Sequence, residues 1–172
     1  KKAEDFYLPL ISFIDTPGAY PGIESEERGM SEAIAKNLSL LSNLKTPVIV
    51  IITGEGGSGG ALAIGIGDHV CMLEHSIYAV ASPEACASIV WRDGSKAKDA
   101  AEAMKVDAGS LQKLGLVDEV IKEPLGGAHR DLRGASNSIS DVIEEKLSTF
   151  DELEISDLLN KRYKKIMSYG SI

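Results

Sequence analysis

Val48-Ile49-Val50-Ile51-Ile52-Thr53-Gly54-Glu55-Gly56-Gly57-Ser58-Gly59-Gly60-Ala61-Leu62-Ala63-Ile64-Gly65-Ile66 carries the strongest structural signal in the chain. Its first five residues are all β-branched, with no polar residue alternating between them. A strand half exposed to water would alternate. A continuous run is the pattern of a strand covered on both faces, as in a parallel sheet under helices. Gly54 to Gly60 then holds five glycines in seven residues and reads as a tight turn. Ala61 to Ile66 reads as a short buried helix. A strand that bends through glycines into a helix leaves amide N–H groups at a positive helix end, which suits an oxyanion.

Outward from this segment the pattern repeats. Upstream, Leu10 to Ile14 is a short apolar run between Pro9 and Asp15-Thr16-Pro17-Gly18, the signature of a buried strand entering a turn. Met30, Ile34, Leu38 and Leu41 recur at helical spacing within a predicted helix over 26–44, which Thr46-Pro47 stops. Downstream, strands are expected over 70–73, 77–81 and 117–121, and helices over 83–91, 96–104 and 110–114. The alternation is that of an α/β fold with crossover connections. Beyond Gly126-Gly127 the composition shifts. Ile139, Val142, Ile143 and Leu147 define one amphipathic helix; Ile155, Leu158, Leu159, Tyr163 and Ile166 define another. Lys161, Arg162, Lys164 and Lys165 are expected there as helix C-terminal charges favoured by the helix dipole, rather than as a phosphate-binding cluster. The expected division is a core over 1–127 and a helical extension over 128–172.

The 172 residues include 18 Lys+Arg and 26 Asp+Glu, a net charge of −8. An acidic chain is a poor match for nucleic acid, which needs a positive face. No apolar run approaches the ~20 residues of a membrane span, and no signal peptide is evident. Cys71 and Cys86 do not form a disulfide framework and read as small buried hydrophobes in a reducing compartment. The chain opens on Lys1 rather than Met, and an amino-terminal part of a longer protein is expected before it.

The glycine segment fits several motifs at once. Gly54-x-Gly56-x-x-Gly59, with Glu74 twenty residues on, matches a dinucleotide fingerprint, although the following helix is short and contains Gly65. Gly56-x-Ser58-x-Gly60 matches a nucleophile elbow, with His129 as base and Asp118 as its orienter. His69 and His75 read as polar strand ends. Asp15-Thr16-Pro17-Gly18 matches the D-x-x-G loop of GTPases, but G-x-x-x-x-G-K-[ST] and N-K-x-D do not occur. A plain packing turn is the remaining reading.

Taken together, Ile14-Asp15-Thr16-Pro17-Gly18-Ala19-Tyr20-Pro21-Gly22, Glu26-Glu27-Arg28-Gly29, Gly54 to Ala63, Ser82 to Trp91, Glu123 to Arg130 and Met167-Ser168-Tyr169-Gly170 closely resemble the carboxyltransferase α subunits of acetyl-CoA carboxylase, in their carboxyl-terminal portion. Met30 and Ala85 depart from that pattern, where a polar residue and a glycine are usual. The resemblance implies a crotonase-like fold of ββα units with carboxy-terminal helices. It implies transfer of a carboxyl group from carboxybiotin, on a carrier protein, to acetyl-CoA, giving malonyl-CoA for fatty acid synthesis. Neither substrate is held covalently.

By the same resemblance, Gly56 and Gly57 would be the backbone donors to the biotin ureido oxygen, with Gly59 and Gly60 as close-packing residues and fallback donors. Gly18, Ala19, Tyr20, Pro21 and Gly22 would wall the cleft for the biotinyl arm. No metal is expected in this chain, the family's zinc ribbon lying in the β subunit. The implied partners are that β subunit, the biotin carboxyl carrier protein and biotin carboxylase, in an α2β2 hetero-oligomer and an ATP-dependent complex. The implied location is bacterial cytoplasm or plastid stroma, and the chain alone is expected to be inactive. A serine hydrolase using Ser58, or a non-catalytic fragment, is the alternative.

Overall fold

The computed structural model describes residues 1–170. Strands β1 (Leu10–Thr16), β2 (Val48–Gly57), β3 (His69–Leu73), β4 (Ile77–Ala79) and β5 (Glu119–Ile121) form one parallel sheet. Its order is β1-β2-β3-β5, with β4 pairing with the far end of β2. The helices are α1 (Lys2–Asp5), α2 (Ile23–Glu27), α3 (Met30–Ser42), α4 (Ser58–Leu62), α5 (Pro83–Trp91), α6 (Ala97–Met104), α7 (Ala108–Lys113), α8 (Leu132–Asp151) and α9 (Ile155–Ser168).

The β-branched run does what its composition requires. Val48 to Ile52 are all fully buried. Val48, Val50 and Ile52 point to one face, where they meet Leu41, Leu44, Ala61 and Leu111 from the α3, α4 and α7 regions. Ile49 and Ile51 point to the other, with Cys71 and Leu73, under Ile139, Val142, Ile143 and Leu147 of α8. Each such side chain contributes ~1.5–3 kcal/mol of burial free energy. Helix α8 thus forms the layer over the second face of the sheet.

The structure departs from the sequence expectation at four places. A short helix, α1, precedes the first strand. The helix expected over 26–44 is two helices, because Gly29 has φ +78° and breaks the run before Met30. The segment 54–57, expected as turn, is extended and continues β2; only Ser58 opens the helix. Finally, Arg162 is more than a helix-end charge: it is 1% exposed. All five of its N–H donors are used, on both Asp68 oxygens and the carbonyls of Leu41, Leu44 and Thr46, at 2.6–2.9 Å. Asp68 also accepts the Val48 amide at 2.8 Å. Lys165 pairs with Asp118. These contacts dock α9 onto the start of β2 and β3.

Candidate active site

The glycine segment is shaped by a bulge. From Ile14 to Thr16, β1 advances two residues while its partner β2 advances four, from Ile52 to Gly56. The extra residues lose regular ladder partners, and such groups must find others. Thr53 Oγ1 donates to the Ile14 carbonyl at 3.3 Å, and the Glu55 amide donates to Asp15 Oδ1 at 3.0 Å. A Cβ on Gly54 would overlap that Asp15 carboxylate.

The bulge carries β2 onto a new neighbour, with Glu55, Gly56 and Gly57 pairing with Ile77, Tyr78 and Ala79. This commits the amides of Gly56 and Gly57. Pro17 has no N–H, so the Thr16–Gly56 bridge requires the Gly57 amide to donate to the Thr16 carbonyl. The Tyr78 amide is used on the Val106 carbonyl at 3.0 Å, which leaves the Gly56 amide directed at Ile77. Gly56 and Gly57, expected as the oxyanion donors, thus lie at the paired end of β2, just ahead of the turn into α4.

The amides of Ser58, Gly59 and Gly60 lie in the first turn of α4, ahead of its first intrahelical acceptor. Gly18 and its neighbours press directly on this turn. A Cβ on Gly57 would overlap the Pro17 carbonyl, and one on Gly60 would sit 2.7 Å from the Gly18 carbonyl carbon and 2.9 Å from the Ala19 amide nitrogen. Gly57 and Gly60 are glycines because another backbone passes against them. Gly59 is different: a Cβ there would meet only Ile34 Cδ1, at 3.4 Å. Tyr20 lies outside this contact, 72% exposed, with its ring against Gly22.

Ser58 and Gly59 open onto a cavity of about 400 Å³. Its walls are almost wholly apolar, including Leu62, Val80, Leu111 and Ile166, with Tyr78 and Tyr169 at the side. Burial raises the Tyr78 phenol above its ordinary range, so it stands as a neutral hydroxyl. Sequence reasoning missed Tyr78, Ile166 and Tyr169 as cavity residues. They come from two segments far apart in the chain, β4 and the end of α9, and their own local patterns read as strand and helix packing.

The side-chain chemistries proposed for the segment do not assemble. Ser58 has φ +48°, the left-handed turn that a nucleophile elbow needs. His129, however, lines a different pocket with His75 and Glu123, and Asp118 is occupied by the Val70 amide and Lys165. For a dinucleotide site, Gly54 and Gly56 are in the strand, α4 has five residues, and Glu74 pairs with Lys122 at 2.9 Å. Asp15, the first residue of the D-x-x-G match, is spent on the Glu55 amide. The polar ends His69 and Glu119 are joined at 3.0 Å, and with Cys71 they form a ligand-type cluster that the sequence reading did not anticipate.

Residues 1–170 match the family described as acetyl co-enzyme A carboxylase carboxyltransferase-like. The acetyl-coenzyme A carboxylase carboxyl transferase subunit alpha of Alcanivorax borkumensis is 57% identical over 170 residues, which cover 99% of this chain and 53% of that protein. The chain therefore spans about half the length of the curated relatives it matches. A crystal structure of transcarboxylase 12S, described as a hexamer assembly with hydrolysed methylmalonyl-coenzyme A bound, is similar at a TM-score of 0.62 and 26% identity, over 70% of this chain and 24% of that one. An enoyl-CoA hydratase/isomerase from Marinobacter aquaeolei shares the fold at a TM-score of 0.58 and 15% identity, over 99% of this chain and 70% of that one. The α/β architecture is accordingly crotonase-like, and the chain belongs to the acetyl-coenzyme A carboxylase carboxyltransferase-like family.

Proposed function

We propose that this chain forms part of the α component of a heteromeric carboxyltransferase that moves a carboxyl group from carboxybiotin to acetyl-CoA. The observation that carries this reading is the family match along residues 1–170, at 57% identity to a carboxyl transferase subunit alpha. The reaction breaks the N1′–carboxyl bond of carboxybiotin and forms a C–C bond to the acetyl methyl carbon. The methyl proton goes to the biotin nitrogen. Negative charge develops on the ureido oxygen and on the thioester oxygen, so the need is for fixed N–H donors rather than a nucleophile.

The first turn of α4 supplies that type of group. With Gly56 and Gly57 paired in the sheet, the donors in this reading are the amides of Gly59, on the wall of an apolar cavity where a developing charge is poorly screened, and of its neighbour Gly60. Gly18 and Ala19 press on the turn from outside, and the Gly18–Gly22 segment would wall the path of the biotinyl arm. The thioester oxygen and coenzyme A would be met by a β subunit, with the carrier protein and biotin carboxylase completing the assembly.

The test combines the full-length chain with its partner subunit, carboxylated biotin and acetyl-CoA, and measures malonyl-CoA. Ser58→Ala is expected to retain activity within a few-fold. Gly59→Pro, which deletes one N–H at a first-turn position, is expected to lose about 10²–10³ in rate. Loss of all activity in Ser58→Ala, with Gly59→Pro unaffected, would replace this reading with a serine-dependent one.

A further inference from the structure

We propose that His69, Cys71 and Glu119 form a binding site for a zinc-class divalent transition-metal ion, separate from the glycine turn. His69 and Cys71 stand two residues apart on β3 and therefore share a face of the sheet. Glu119 of β5 is the direct cross-strand partner of Cys71. Strand alternation and parallel register thus aim an imidazole, a thiol and a carboxylate at one point. One ligand atom from each lies within 4.8 Å of the other two.

Three features separate this cluster from an ordinary polar contact. The donor set is mixed nitrogen, sulfur and oxygen, which suits zinc and cobalt and not magnesium or calcium. Cys71 is fully buried among apolar residues, while His69 and Glu119 are only partly covered, so an ion has an entry side and a closed side. The imidazole also lies between two acidic residues. His69 Nε2 faces Glu119 at 3.0 Å, and Nδ1 faces Asp118 at 3.9 Å. A metal taken by Nε2 would leave Nδ1–H on the side of Asp118, whose Oδ2 is already held by the Val70 amide and Lys165.

A cation also meets the Glu119 carboxylate. The Lys146 ammonium of α8 sits 3.3 Å from Glu119 and 2.7 Å from Glu145. On metal binding it would move over to Glu145. The thiol proton is released to solvent, and the ion takes the thiolate, the imidazole and one carboxylate oxygen, with water in the fourth position.

The test is a Co²⁺ titration of the full-length chain in its assembled form, stripped of metal, followed by Zn²⁺. The expected result is a thiolate-to-cobalt charge-transfer band and tetrahedral visible bands, both bleached by Zn²⁺. The signal is read as the difference between wild type and Cys71→Ser, so that metal held by any partner cancels. Glu119→Gln provides a second variant should Cys71→Ser not fold. Asp118→Asn, outside the ligand set, is expected to leave the band positions unchanged. Absence of the charge-transfer band in wild type, or its persistence in Cys71→Ser and Glu119→Gln, would overturn the assignment.

Discussion

Replacing Arg162 by Met should be among the most destabilising single changes in this chain. The guanidinium is buried with its whole donor set used, two bonds to the Asp68 carboxylate and three to backbone carbonyls of Leu41, Leu44 and Thr46. Met fills similar space, so the loss is electrostatic rather than steric. The Asp68 side chain is itself only 3% exposed and would be left as an uncompensated buried carboxylate. Breaking a buried pair from one side costs ~3–5 kcal/mol, mostly through the charge left behind. Urea unfolding of the assembled full-length protein, followed by circular dichroism, measures the difference. Adding Asp68→Asn to Arg162→Met removes the orphaned charge and keeps an acceptor for the Val48 amide. That double variant should recover ~1–3 kcal/mol of the loss. A loss below ~1 kcal/mol for Arg162→Met, or no recovery in the double variant, would refute the view that this pair holds α9 to the sheet.

Gly60→Ala should disturb the protein far more than Gly59→Ala. The new Cβ at Gly60 meets the backbone of Gly18 and Ala19 at 2.7–2.9 Å, whereas at Gly59 it meets one flexible side-chain end at 3.4 Å. Thermal melts should show Gly60→Ala clearly lowered and Gly59→Ala near wild type; equal effects would argue against the backbone clamp. At the start of α7, the Ser110 hydroxyl and amide hold the Asp107 carboxylate below its ordinary range. The folded value is the lower one, so the contribution is present above the ordinary carboxylate pKa near 4 and is lost as pH falls through the lowered value. Asp107→Asn should therefore flatten the acid limb of a stability-against-pH curve, and an unchanged limb would contradict it.

Much of this molecule was readable from local pattern. The β-branched run at 48–52 could only be a strand covered on both sides, because no register would place a polar face outward. The helix expected over 83–91 forms, and the Ser82 hydroxyl caps it by accepting the Ala85 amide. The glycine segment also stands out by local composition, since five glycines in seven residues let the chain bend tightly and another backbone pass close by. Local pattern did not reveal which amides stay free. That depends on β1 and β4 arriving on either side of β2, which no local pattern contains. Arg162 reads in sequence as one more cation in a basic helix, and Asp68 as a loop residue. Only the fold brings these two together across 94 positions. His69, Cys71 and Glu119 likewise meet only through the register of β3 against β5. Periodicity reports which face of an element is apolar, because that depends on residues three or four apart. Partner choice between buried polar groups depends on which elements pack, and no short stretch of chain contains that information.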